Sequence, residues 1–246
     1  MNFVVEITIF AKRQTVSFTL KKYNPYKMKL DSIEILTNDL NATKDFYEKI
    51  LELPIVENKS NFLCIKIGST ILKFVENLEK SDSIYHLAFN IPENKLNEVI
   101  KWCANRIELI KKEDDILIAG FETWNANAVY FYDNNGNLLE FIARHDLKNT
   151  TTGAFNSEQI LNISEIGVVK ENPQEFGLQL IEDYGLSLFD KNQNSEMFTA
   201  IGDDNGLLII VKAKRNWYPT EIPAKSKWTK IGLTHKGQGA TIEITD

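Results

Sequence analysis

One order of elements recurs along this chain: a strand with period-two alternation, a stretch with helical spacing, and a pair of short apolar stretches joined at a turn. In Leu30-Asp31-Ser32-Ile33-Glu34-Ile35-Leu36 the apolar residues alternate, as they do in a half-buried strand. Asn38 or Asp39 then caps a helix in which Leu40, Thr43, Phe46, Tyr47, Ile50 and Leu51 share one face. After Pro54, Phe62 to Ile67 and Thr70 to Glu76 read as strands hinged at Gly68-Ser69. The order returns with a strand over Ser83 to Ile91 and a helix over Pro92 to Ile107, followed by strands near Leu109 and at Asp115 to Ile118, Ala128 to Tyr132 and Leu138 to Ala143. Asp133-Asn134-Asn135-Gly136-Asn137 predicts a hairpin turn in which Gly136 takes a positive φ. A third round runs through Ile163 to Val169, a helix opened by Asn172-Pro173, and strands Phe198 to Gly202 and Leu207 to Val211. Trp228 to Leu233 and Ala240 to Ile244 add two strands without a further helix. This grammar predicts an α+β protein.

The 246 residues suffice for one large domain or two small ones. With 43% hydrophobic and 25% charged residues the chain has an ordinary globular composition. Its 28 Lys+Arg against 34 Asp+Glu give a net charge of −6, so no basic field attracts nucleic acid. Cys64 and Cys103 cannot build a disulfide framework or a zinc ribbon, and their apolar neighbours make them buried thiols. A reducing, cytoplasmic location is expected. No apolar stretch approaches the roughly 18 residues of a membrane span, and the N-terminus does not read as a signal peptide. Residues 1–27 form a hairpin or an extension, and residues 148–160 read as a polar linker. No Gly-x-Gly-x-x-Gly, Walker, Gly-x-Ser-x-Gly or His-Glu-x-x-His motif is present, which removes the commonest nucleotide, esterase and metalloprotease readings.

Three stretches together carry a family resemblance: VYFYDNNGNLLEFI (Val129 to Ile142), Tyr85-His86-Leu87-Ala88-Phe89, and Leu30 to Tyr47 with Asp39 before its helix. They resemble the vicinal oxygen chelate superfamily of glyoxalases, extradiol dioxygenases, fosfomycin-resistance enzymes and bleomycin-binding proteins. The resemblance implies paired β-α-β-β-β units that form a curled mixed sheet, a cup with helices outside. It places two such units at 28–147 and a shortened related unit at 161–246. It also implies up to four metal ligands on the concave face, from the first strand and a later strand of each unit. In the second unit these positions hold His86 and Glu140; in the first they fall on Ser32 and Lys73. Strand parity independently sets His86, Ala88 and Asn90 on one face, Leu138, Glu140 and Ile142 on another, and Ser32, Glu34 and Leu36 on a third.

Two functions follow from the resemblance. The first is a small-molecule lyase or ring-cleaving dioxygenase. It would hold a divalent metal (Mn, Fe, Ni or Zn) on His86, Glu140 and Glu34, with Glu34 or Glu140 carrying a proton. The second is a metal-free sequestering protein of the bleomycin-resistance type, in which Lys73 pairs with Glu140 on the floor of the cup. Ser32, Lys73 and Trp124 are expected to line the pocket. Phe121, Tyr130 and Tyr132 either line it or pack in the core. Arg215-Asn216-Trp217-Tyr218-Pro219 either holds an anionic group and a ring or packs within the fold. His145 and His235 have no ligand-spaced partner. The expected partner is a small molecule, neither nucleic acid nor membrane is expected, and homo-oligomer formation stays open.

Overall fold

Two mixed sheets and three α-helices make up the computed structural model, which describes residues 27–80, 84–112 and 115–245 and two strand fragments before them. The fragments, β1 (Val5–Glu6) and β2 (Ser17–Phe18), pair antiparallel; the rest of the hairpin expected over residues 1–27 lies outside the described residues.

The first unit comprises β3 (Lys29–Thr37), α1 (Leu40–Asp45), β4 (Ile55–Asn58), β5 (Phe62–Ile67) and β6 (Thr70–Glu76). Asp39 caps α1, its carboxylate accepting from the amides of Asn41 and Ala42. The helical spacing continues to Ile50, but from Phe46 the helix widens into a π-helical turn that buries Tyr47. The second unit comprises β7 (His86–Ile91), α2 (Leu96–Cys103), β8 (Leu109–Ile110), β9 (Ala119–Phe121), β10 (Ala126–Tyr132) and β11 (Leu138–Arg144). The expected strand over Asp115 to Ile118 is displaced to β9, whose Ala119 is buried against β10. The third unit has β12 (Asn162–Lys170), α3 (Pro173–Tyr184), β13 (Phe198–Asp203) and β14 (Gly206–Lys212). β15 (Thr229–His235) and β16 (Gln238–Ile244) complete the chain's elements.

The strand order corrects one expectation: the two units within 28–147 do not share a sheet. One sheet runs β16-β15-β3-β6-β5-β4 and the other β13-β14-β12-β7-β11-β10-β8, with β9 on β10. The open edge of each unit's first strand is covered by a later segment of the chain, β3 by β15 and β7 by β12, both antiparallel. The first sheet is termed the frame and the second the cup. A single apolar core joins them, with Ile33, Ile35 and Phe74 of the frame in the same cluster as Leu87, Phe89 and Phe141 of the cup.

β12 carries a bulge. Ile163 pairs with Phe89 and Glu165 with Ala88, so two steps on β12 match one on β7. Ile163 and Ile166 therefore both enter the core while Glu165 faces the cup.

The turn before β11 fixes where that strand starts. Gly136 has φ 78°. The buried Asp133 carboxylate accepts from the amides of Asn135 (2.8 Å) and Asn137 (2.9 Å), the Asn137 side chain (2.8 Å) and the Tyr47 hydroxyl (2.9 Å). Asn137 Oδ1 in turn accepts from the Tyr85 amide at 2.8 Å. The turn thus ties the first unit to β7 and β11. Asp133→Ala, which strands several buried donors, is expected to cost about 3 kcal/mol, read from the urea midpoint at an unchanged m-value.

Candidate functional site

Three buried side chains converge in the cup: His86 from the start of β7, Glu140 from the middle of β11 and Glu165 from β12, each no more than 6% exposed. One ligand atom from each lies within 4.8 Å of the others. His86 Nε2 is 3.8 Å from Glu140 Oε2 and 3.9 Å from Glu165 Oε2, too far for hydrogen bonds. The ring's other nitrogen, Nδ1, is 3.1 Å from the Leu138 carbonyl oxygen and donates to it. That bond selects the tautomer with a lone pair on Nε2, directed toward the carboxylates. Burial, assisted by the charge of Arg215, holds the His86 pKa down at about 4, so the ring is neutral at physiological pH. Burial and the Glu165 charge raise the Glu140 carboxyl well above the usual carboxylate range, while Arg144 and Tyr130 act against this. Glu165 is raised by burial and drawn back by Arg144.

Arg144, at the end of β11, is fully buried. It donates from Nη2 to Glu165 Oε1, from Nη1 to Asp204 Oδ1 (3.3 Å) and from Nε to Asn90 Oδ1 (3.1 Å). One Glu165 oxygen is thereby occupied and the other is presented to His86. Lys191 continues the network, 2.6 Å from Asp204 and 2.8 Å from Asp146.

His86, Glu140 and Glu165 floor a cavity of about 340 Å³. Its walls include Phe121, Trp124, Tyr130, Phe198, Trp217 and Tyr218, and Arg215 lines it as well. Trp217 lies on the His86 ring with centroids 5.3 Å apart. This contact needs Gly167, where a Cβ would come within 2.6 Å of the indole.

Of the residues named from sequence, the structure brings His86, Glu140 and Trp124 together and sets Ser32, Glu34 and Lys73 apart in the frame sheet. Glu34 is not the third member of the cluster. On β3 it faces Lys73 of β6, with Nζ 2.9 Å from Oε2, and Lys230 of β15 at 4.0 Å from Oε1. The expected Lys73–Glu140 pair is likewise absent, because the two residues belong to different sheets. Tyr132, at the end of β10, does not line the cavity and is 37% exposed. Sequence reasoning missed Glu165, Arg144 and Asn192, the last of which lines the cavity. The signal for Glu165 was a lone carboxylate in the otherwise apolar strand Ile163 to Val169.

Residues 29–141 match the family model described as the Glyoxalase/Bleomycin resistance protein/Dioxygenase superfamily. This segment, just under half of the chain, carries the likeness to that superfamily. Among solved structures, a candidate dioxygenase from Bacillus subtilis superposes with a TM-score of 0.57 at 16% identity, covering 87% of this chain and 68% of that one. The V278E mutant of glyoxalase I from Zea mays gives 0.53 at 10% identity, over 88% of this chain and 75% of that one. At these identities the likeness is one of fold. No curated protein matches the chain in sequence. Among the described residues no helix is long and apolar enough to cross a membrane.

Because Arg144 neutralises two carboxylates away from water, Arg144→Met is expected to cost about 3–5 kcal/mol of stability. Adding Glu165→Gln should recover part of that loss, as read by chemical denaturation of the single and double variants.

Proposed function

We propose that this chain is a metal-dependent small-molecule enzyme of the lyase or ring-cleaving dioxygenase type. His86 Nε2 and one oxygen each of Glu140 and Glu165 would hold the divalent cation. The observation that carries this reading is the buried cluster itself. An imidazole lone pair faces two carboxylates at 3.8 and 3.9 Å without bonding to either, and a cation between them would relieve the cost of their burial. A mixed nitrogen and oxygen donor set suits Mn, Fe, Ni or Zn. When bound, such an ion supplies Lewis-acid polarisation of a carbonyl or of two adjacent oxygens.

The protein's own groups have separable tasks. Leu138 fixes the His86 tautomer, and Arg144 holds Glu165 in place while leaving one of its oxygens free. Glu140, raised by burial, is the group placed to hold or pass a proton, with Tyr130 beside it. The aromatic walls keep water from the floor. The two buried free cysteines suit a reducing, cytoplasmic setting.

Metal content of untagged protein, followed by melting curves with and without Mn, Fe, Ni or Zn, tests the proposal. Near-stoichiometric metal is expected. Saturation at a hundred times the dissociation constant would add about 2.7 kcal/mol of stability. His86→Ala and Glu165→Gln should abolish the effect, and Glu34→Gln should leave it intact. No bound metal and no shift in the wild type would overturn it.

A further inference from the structure

Arg144 and Lys191, two further cations of the cup, are matched by carboxylates. Arg215 is different. Among the described residues it makes no ion pair, and its one side-chain hydrogen bond, from Nη1 to the Asn216 carbonyl, is long at 3.5 Å. Its guanidinium lies over the Phe198 ring, 5.3 Å from the centroid. It is half-buried and lines both the cavity and the adjoining groove, two spaces that also share Tyr218. Its charge reaches His86, where it disfavours protonation of the ring.

The cavity therefore has an ordered polarity. Two carboxylates and an imidazole make the floor, aromatic rings make the walls, and a cation in no ion pair stands at the side opening to the groove, which Lys112 and Glu221 also line. Trp217 and Tyr218 follow Arg215 directly in sequence, so one loop delivers the charge and two of the rings. Tyr218 meets Tyr130 edge-on at 6.1 Å and Phe121 at 6.1 Å, which continues the aromatic wall across to β10.

We propose that Arg215 receives the acidic group of a planar aromatic ligand whose ring is held between these walls and whose far end reaches the His86–Glu140–Glu165 floor. The proposal rests on the reading of the cup as a small-molecule site and adds the class of molecule. A forked guanidinium held over a ring offers two parallel hydrogen bonds to a carboxylate. Aromatic walls favour a flat, unsaturated body over a flexible chain.

Quenching of tryptophan fluorescence in the full chain tests this, since Trp124 and Trp217 line the cavity. The probes are benzoate and benzamide, rings of nearly the same shape that differ in charge. Wild type is expected to bind benzoate at least roughly tenfold more tightly than benzamide, the range of a charge-assisted pair. Arg215→Gln should bring the two affinities together, and Arg215→Lys, which keeps the charge and loses the fork, should fall between. The preference should persist after chelation, and this separates the proposal from the metal reading, whose failure shows in metal content alone. Equal affinities in the wild type, a preference that survives Arg215→Gln, one that disappears on chelation, or no quenching by either ring would each overturn it.

Discussion

The guanidinium of Arg144 has no access to water, yet its nitrogens bond side chains from three other segments: Asn90 of β7, Glu165 of β12 and Asp204 in the turn between β13 and β14. Replacing Glu165 or Asp204 leaves charge uncompensated in a medium where a bare ion costs several kcal/mol, and replacing Asn90 strands a buried donor. The second and third units are thus held by a charge balance as well as by apolar packing, and the candidate metal site inherits that constraint. Glu165 is presented to His86 because its other oxygen is already claimed. Lys191 carries the balance outward to Asp146 at the surface. A site of two buried carboxylates is tolerable here because a cation was built in beneath it.

The frame sheet shows what the same scaffold becomes without that arrangement. β3 carries a bulge against β15 as β12 does against β7, so Ser32 of the frame stands opposite Gly232 as Glu165 stands opposite Ala88. Around it the frame has Glu34 compensated by Lys73 and Lys230. That face is half-exposed and its charges are satisfied by side chains. Two cups of one design have diverged into a closed electrostatic circuit and one that leaves a place for a ligand.

Much of this was legible before the structure. The strands and helices of the repeated units announced themselves through periodicity. The turn at Asp133–Asn137 was set by residue chemistry, and His86 and Glu140 were reached through strand parity and a family resemblance. What failed did so for identifiable reasons. Parity counted from Ile163 puts Glu165 on the core side; the bulge at Ser164 reverses that, and a bulge leaves little local trace in sequence. Strand parity puts Glu34 on the face of Ser32, which enters a shared cup only if the two units pair in one sheet; strand pairing at long sequence separation decides otherwise. Arg144, at the end of an apolar strand, gave no hint that three residues from three segments would enclose it. The Arg215–Pro219 stretch was conspicuous from the start, but only the fold shows that it forms one side of the same cavity.

The order of the sheets carries a consequence for how the protein is made. The cup is drawn from one uninterrupted stretch, β7 to β14, while the frame is split between β3–β6 at one end and β15–β16 at the other. During vectorial synthesis every strand of the cup leaves the ribosome before β15 is available, so the uncovered edge of β3 must wait through the whole assembly of its neighbour. An unpaired strand edge held open that long is a hazard in a nascent chain, and the step that removes it is also the last pairing to form.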